Sequence, residues 1–459
     1  MPITSGTRIH FIGAGGIGMS GLAEICLARG CVVSGCDAKP SAALRRLQER
    51  GAAIALGHHS RHLEGGVDLV VYSSAVSERE HELLKARSRR LRTISRGELL
   101  AELAADRQLI GVAGAHGKTT TSGMASQLLI QAGWDPTVIV GGVMLSMGTN
   151  ARSGNGSFLV AETDESDGSF LHLAPRVAII TNIDREHLNH YLTFERLIEA
   201  FRQFTAQVDP GGAVIHCWDD PIVRQLIQRG TLTYGLEPGA DVTAERIQLN
   251  GFGSRFRALY KGRSLGPFTL QVPGRHNVLN ALAVIGLGLT LEIPMVTVRE
   301  SLAAFRGTCR RFQVFHLPSD IWFVEDYAHH PAEIQATLAA DAVAGRHRLV
   351  IFQPHRFSRT KLLECEFTMC FDRADGVIVT DIYPAFESPI PGISGERLAH
   401  LIQAHGHPCV RYVSKPELPA FVSRIAQPGD TIFFLGAGDI GELCHDLAAR
   451  LRASARTVG

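Results

Sequence analysis

Gly114-Ala115-His116-Gly117-Lys118-Thr119-Thr120 follows the apolar run Leu109 to Val112 and leads into an amphipathic stretch, so a lysine and a hydroxyl stand directly behind a glycine. Backbone N–H groups in such a turn cradle phosphates, the Lys118 ammonium neutralises them, and the Thr119 hydroxyl is a ligand for Mg²⁺. The segment departs from a full Walker A loop, because the position five before Gly117 is Val112 rather than glycine. It still reads as a phosphate-binding loop.

Two acidic clusters end the next apolar runs. Glu162 closes Phe158 to Glu162 and leads into Thr163-Asp164-Glu165-Ser166-Asp167, and Asn182-Ile183-Asp184-Arg185-Glu186-His187 closes Val177 to Asn182. Phosphates of a nucleotide need cations held by carboxylate or imidazole, so Glu162 and His187 read as Mg²⁺ ligands. Asp164, Glu165, Asp184 and Glu186 read at least as well as solvated or helix-capping residues.

A second glycine turn, Gly13-Ala14-Gly15-Gly16-Ile17-Gly18, follows the run Arg8 to Ile12, and Asp37 ends the next run about 20 residues on, as in a dinucleotide fingerprint. A nicotinamide cofactor, a UDP-sugar and a structural turn all need that geometry. Gly436-Ala437-Gly438-Asp439-Ile440-Gly441 repeats the pattern, but Asp439 would repel phosphate, so it reads as a structural turn. Near the end of two later runs lie Asp326-Tyr327-Ala328-His329-His330-Pro331 and Gln353-Pro354-His355-Arg356-Phe357-Ser358-Arg359. Arginine forks suit carboxylate or phosphate. His329 and His330 lack a third zinc ligand at a standard spacing. Arg310 and Arg311 sit at a domain boundary, placed either to reach into an interdomain cleft or as a linker charge pair.

The elements that must hold these residues follow an α/β rhythm of short apolar strand, Gly-rich or polar turn, and helix. At roughly 150 residues per domain, 459 residues predict about three domains. The rhythm divides at 1–106, 107–308 and 309–459, with a β-rich stretch from Thr231 to Pro273 and helices from His276 to Phe305 inside the second. Ligands of open α/β sheets bind beyond the carboxyl ends of strands, which is where all these motifs fall.

A net charge of +1 implies no bulk electrostatic partner, and Arg87, Arg89, Arg90 and Arg92 read as a solvated helix face rather than a nucleic-acid stripe. No apolar run approaches the roughly 18 to 20 residues of a membrane span, and the N-terminus carries no signal-peptide pattern. Nine scattered cysteines without a C-x-x-C pair favour neither a disulfide framework nor a zinc site; Cys26, Cys31 and Cys36 read as small core residues. A cytoplasmic chain that binds neither membrane nor nucleic acid is expected.

Taken in order, these segments resemble the Mur ligases. The likeness covers essentially the whole chain: His10 to Gly21, Ser73-Ser74-Ala75, Gly114 to Thr121, Glu162 to Phe170, Thr181 to Tyr191, Pro273 to Asn280, Arg310-Arg311-Phe312, Asp326 to Glu333, Phe352 to Thr360, and Asp381 to Pro384. The resemblance implies a Rossmann-like N-terminal domain, a P-loop-type central ATPase domain and a Rossmann-like C-terminal domain. It implies ATP-driven amide synthesis with Mg²⁺ in peptidoglycan assembly. The lactyl carboxylate of UDP-N-acetylmuramate would take the γ-phosphoryl group of ATP, and the amine of L-alanine would attack the acyl phosphate.

By the same resemblance, Lys118, Glu162, His187, Arg311, His329 and Arg356 carry catalysis, with Thr119, Glu162 and His187 as metal ligands. Gly114 to Thr120 with His276, Asn277 and Asn280 hold ATP. Gly13, Gly15, Gly16, Gly18, Asp37, Ser73 and Ser74 hold the UDP-sugar, and His329, His330, Arg356 and Arg359 line the amino-acid site. The chain departs from the family pattern with Ala115 for Thr, Thr163 for Ala, Cys36 for Ser, and Asp184-Arg185-Glu186-His187 for Glu-x-Asp-His. A monomer or homodimer is expected. Three other readings compete: a recycling ligase that joins a tripeptide to the same UDP-sugar, a nicotinamide-dependent oxidoreductase built on the first glycine turn, and a non-catalytic nucleotide sensor.

Overall fold

The computed structural model describes residues 3–227, 232–340, 346–385 and 387–457. They build three mixed α/β sheets, grouped into two compact units. One comprises residues 1–246, 256–269 and 277–306, and the other 247–255, 270–276 and 307–459.

The first sheet is wholly parallel. Its strands are β1 (Arg8–Ile12), β2 (Val32–Asp37), β3 (Ala53–Leu56), β4 (Leu69–Tyr72) and β5 (Arg92–Ser95), in the order 3-2-1-4-5. The strand order reverses between β1 and β4, so a crevice opens where the glycine turn after β1 faces the end of β4. The helix Ile17–Ala28 that follows the turn is buried from Met19 to Cys26. One side packs on its own sheet, and Asn150 of the next sheet donates from Nδ2 to Ile17 O at 2.8 Å. A helix apolar on every face must be enclosed by two layers, so the first two sequence blocks share one core.

The second sheet is centred on β6 (Gln108–Ala113). Its other strands are β7 (Thr137–Met144), β8 (Thr149–Arg152), β9 (Phe158–Glu162), β10 (Val177–Ile180), β11 (Ala213–Cys217) and β12 (Leu232–Tyr234). They run in the order 12-11-10-6-9-7-8, with β8 antiparallel to β7 at the edge. The sheet continues beyond β12 with β13 (Val242–Asn250), β14 (Gly253–Tyr260) and β15 (Arg263–Leu270), which make up the expected β-rich stretch; Thr231 lies outside the described residues. Helices Arg275–Thr290 and Met295–Ala304 follow. The expected strand Val177 to Asn182 ends at Ile180 instead, because the next two residues are diverted to brace the loop after β6.

The third sheet holds β16 (Gln313–Leu317), β17 (Ile321–Asp326), β18 (His347–Phe352), β19 (Gly376–Val379), β20 (Val410–Tyr412) and β21 (Asp430–Leu435), in the order 16-17-21-18-19-20. Only β16 runs antiparallel to its neighbour. β21 is buried along its whole length, as a central strand covered on both faces must be. Of the arginines expected on a solvated helix face, only Arg87 lies on the helix His81–Ser88. The others follow its end, where Arg89 donates to Leu63 O and Arg92 pairs with Glu102.

Candidate functional site

Three loops leave the carboxyl ends of the adjacent strands β9, β6 and β10, and the phosphate-type loop is the middle one. Gly114 has φ +134°, and a Cβ there would lie 2.1 Å from Thr181 Oγ1 and 2.8 Å from Asn182 O. Only glycine lets the chain pass this close to its neighbour. Asn182 then clamps the loop: Oδ1 accepts the His116 N–H at 2.7 Å, Nδ2 donates to His116 O at 3.0 Å, and its own carbonyl accepts from Ala115 N at 3.1 Å. Thr181 Oγ1 donates to His116 O at 2.7 Å, and His116 Nε2 lies 3.1 Å from Asp184 Oδ2. Gly117, at φ +83°, caps the helix Lys118–Gln131. A free helix N-terminus preceded by aligned N–H groups attracts anions.

Lys118 curls back over this loop. Its ammonium donates to Gly114 O, to Ala115 O at 3.2 Å, and to Glu165 Oε1 at 2.8 Å. Burial works against the charge, but the carboxylates of Glu165, Glu162 and Asp164 outweigh it and hold the Lys118 pKa above the ordinary lysine value. Glu165 is 1% exposed, which overturns its reading as a solvated or capping residue. Burial opposes its ionisation, yet Lys118 and His187 keep its pKa below the usual carboxylate range. His187 Nε2 stands 3.5 Å from Glu165 Oε1, while Glu165 Oε2 is buried without a hydrogen-bond partner.

Around this pair, Glu162 Oε2 accepts from Gly141 N at 2.8 Å, and the Thr119 side chain is buried in the first helical turn. Asp164 accepts from Ser166 N, as a capping residue should, and pairs with Arg96 at 2.9 Å. Against the cost of burial, Arg96 and Lys118 lower its pKa to about 2. Asn280 closes the other side: a Cβ on Gly117 would lie 2.7 Å from Asn280 Oδ1, and Asn280 Nδ2 donates to Asn277 Oδ1 at 3.1 Å. Thr120 is half-buried beside these residues. His276 is exposed in the first turn of the helix Arg275–Thr290.

The glycine turn after β1 is organised in the same unit. Gly13 N and Ala14 N both donate to Cys36 O at 2.9 Å, and a Cβ on Gly13 would sit 3.1 Å from Ser73 Cβ. Gly15 N donates to Asp37 Oδ2 at 2.8 Å, so Asp37 closes the turn. Gly16 is the N-cap of the helix Ile17–Ala28, and Gly18 faces Arg96, the partner of Asp164. Gly13, Gly15, Asp37 and Ser73 therefore converge, with Ser74 next along the chain.

In the third sheet, the residues after β17 and β18 come together. The backbone N–H groups of His329 and His330 donate to Glu333 Oε2 at 3.0 and 3.2 Å, and His329 Nδ1 lies 3.0 Å from Tyr327 O. His329 meets His355 edge to face at 5.7 Å, and Arg359 Nη1 lies 3.1 Å from His355 Nδ1. Burial, helped by Arg359, pushes His329 well below the usual imidazole range, and burial with Arg359 and Arg356 takes His355 down to about 3. Both rings are neutral at pH 7. Arg356 sits at φ +71°, a costly conformation for a side chain, and its Nε is buried without a hydrogen-bond partner. Arg311 lies over Tyr327 at 5.3 Å and 3.9 Å from Glu333.

Arg310 does not reach into a cleft. Its guanidinium turns into its own sheet, 3.0 Å from Glu325, and donates to Gly436 O and Gly438 O at 3.0 and 2.8 Å. Asp439 pairs with Lys415 and accepts from Gln353 Nε2 at 2.8 Å, which leaves the last glycine turn a structural one. Thr181, Asn182, Arg96 and His355 were not singled out from sequence, although every one but Arg96 lies within a motif quoted there, and Glu165 was read there only as a solvated or capping residue. Their roles depend on contacts between strands, and spacing along one strand carries no trace of those.

Three domain families match successive parts of the chain: the Mur ligase family catalytic domain over residues 8–108, the Mur ligase middle domain over 112–288, and the Mur ligase glutamate ligase domain over 310–438. The UDP-N-acetylmuramate--L-alanine ligase of Sorangium cellulosum is 48% identical over 454 residues, 97% of each chain. The crystal structure of the UDP-N-acetylmuramate-alanine ligase of Thermotoga maritima superposes with a TM-score of 0.86 at 31% identity, covering 97% of this chain and 99% of that one. A MurF ligase of Thermotoga maritima, solved in complex with ADP, shares the fold with a TM-score of 0.64 at 18% identity, covering 92% and 96%.

Proposed function

This chain belongs to the Mur ligase family, and from that premise we propose that it joins L-alanine to the lactyl carboxylate of UDP-N-acetylmuramate with hydrolysis of ATP. The observation that carries the reading is the half-buried Lys118 on a clamped glycine loop, paired with the buried Glu165 and facing Glu162 and Asp164 at the edge of one sheet. A nicotinamide-dependent oxidoreductase leaves that constellation without a use, and only turnover separates a ligase from a nucleotide sensor. The relatives of 45% to 48% identity are named as L-alanine ligases, which sets the tripeptide acceptor aside.

Residues 1–106 hold the UDP-sugar in this reading, 107–308 hold ATP, and 309–459 bring the acceptor. The N–H groups of Gly114 to Thr120 bind the phosphates, and Lys118 exchanges its carbonyl and Glu165 partners for phosphate oxygens. Thr119, Glu162 and His187 are suited to hold Mg²⁺ through two oxygens and an imidazole nitrogen, and Glu165 Oε2, buried without a hydrogen-bond partner, offers a fourth ligand atom. Magnesium, when bound, neutralises phosphate charge so that a carboxylate can approach the γ-phosphoryl group. Asn277 and Asn280 support the adenine side with His276, and Arg311 faces the phosphates or the reacting carboxylate.

At the third sheet, Arg356 and Arg359 offer guanidinium groups to the carboxylate of L-alanine. His329 and His330 line the same site, and a neutral His329 can accept a proton from the attacking amine. Among the described residues no helix is long and apolar enough to cross a membrane. In the same reading, which rests on ATP and a UDP-linked substrate, the enzyme acts in the cytoplasm as a monomer or homodimer.

The test is phosphate release from ATP with Mg²⁺ and UDP-N-acetylmuramate, with and without L-alanine, and the mass of the UDP product. Release that needs both partners, with a product heavier by one alanine residue, is the expected result. Turnover with a tripeptide and none with L-alanine would overturn it.

A further inference from the structure

Apart from the nucleotide site, the first sheet brings together four side chains that the reaction does not use: His10 on β1, Cys36 on β2, His62 in the turn Ser60–Leu63, and Glu82 in the first turn of the helix His81–Ser88. One ligand atom from each lies within 4.8 Å of all the others. His10, Cys36 and Glu82 are 1%, 0% and 0% exposed, and the His62 side chain is 19% exposed. Glu82 is the hub. Its Oε1 is 2.8 Å from His10 Nε2 and 3.1 Å from His62 Nδ1, and its Oε2 is 3.0 Å from Cys36 Sγ.

Glu82 takes hydrogen bonds from Cys36 and His62, and one atom of the cluster is left over. His10 Nε2 is buried and has no hydrogen bond of acceptable geometry despite its nearness to Glu82, while His10 Nδ1 is held at 2.8 Å by Ser34 Oγ. That second bond fixes the ring and leaves Nε2 aimed into the cluster, as an outer partner does for a metal-ligating histidine. The donors are one soft thiol, two borderline imidazoles and one hard carboxylate, all of which zinc accepts, in the number a tetrahedral ion takes. Around zinc, neighbouring donor atoms stand about 3.3 to 3.8 Å apart, so the contacts to Glu82 must open slightly and the other donor pairs, all within 4.8 Å, adjust by about an ångström at most.

We propose that His10, Cys36, His62 and Glu82 form a structural zinc site beneath the glycine turn. Cys36 binds as thiolate and releases its proton to solvent, by way of His58, whose Nδ1 is 3.1 Å from Sγ. The carbonyl of Cys36 accepts the N–H groups of both Gly13 and Ala14, so an ion on Sγ braces the turn from below. His62, the one partly exposed ligand, and the neighbouring His58, also partly exposed, mark the path of entry.

The test uses the full-length chain without a histidine tag, stripped with a chelator and titrated with zinc against a chromophoric competitor. Cobalt substitution reports on the ligands. One equivalent of zinc should bind, raise the thermal midpoint, and be replaced by cobalt with a thiolate charge-transfer band and intense tetrahedral d–d bands. Cys36→Ser should abolish the charge-transfer band, and His62→Asn should weaken zinc by about tenfold or more. Circular dichroism verifies that both variants are folded. Failure of the wild type to bind one equivalent would overturn the site, as would equal binding by the folded variants, since the zinc would then lie elsewhere on the chain.

Discussion

Lys118 and Glu165 show how one pair of side chains serves both stability and chemistry. Each is charged in a place where burial disfavours charge, and each is kept so by the other. Removing one partner of a buried pair strands the other, at about 3 to 5 kcal/mol. Glu165→Gln should therefore lower stability by about 3 kcal/mol, near the bottom of that range because Glu162 and Asp164 also face Lys118. The shift in urea midpoint of the nucleotide-free protein measures this. An unchanged midpoint would mean that Lys118 is not anchored as described.

Strand–turn–helix elements do the positioning. The loop after β6 holds its shape through the residues after β10, and Gly114 is where the two backbones touch. Gly114→Ala would drive a methyl group into Thr181 Oγ1 at 2.1 Å, on a backbone at φ +134°. Phosphate release should be abolished. Gly133→Ala is the control: φ there is +75° with nothing within 4 Å of the added carbon, so it costs only backbone strain of about 1 to 2 kcal/mol and keeps turnover. Equal losses in the two variants would show that strain, and not the clash with the bracing strand, governs the loop.

Over the whole molecule, the work is divided between sheets. The turn that we assign to the UDP-sugar is built from β1, β2 and β4, and the phosphate loop from β6, β9 and β10, so they should fail separately. Lys118→Ala should abolish ATP-coupled ligation while leaving UDP-N-acetylmuramate affinity nearly unchanged in calorimetry. Parallel loss of both would contradict the division. The two sheets nevertheless share a core and the link Arg96–Asp164, which makes them one compact unit despite their separate matches.

Much of this was legible in the chain itself. The α/β class, the strands carrying the motifs, and the strand–turn–helix placement of the glycine loop with Lys118 followed from local pattern, because a parallel strand is a short apolar run and a tight turn between strand and helix needs glycine. Arg310 and Arg311 were indistinguishable by that standard, and only packing turned Arg310 inward to the last glycine turn. Glu165 looked like any acidic loop residue until the fold buried it against Lys118. Glu82 and the three donors around it stand far apart along the chain on four different elements, so no spacing rule could collect them. Local chemistry is written in neighbouring residues, whereas burial and convergence across strands exist only once the sheet order has been set.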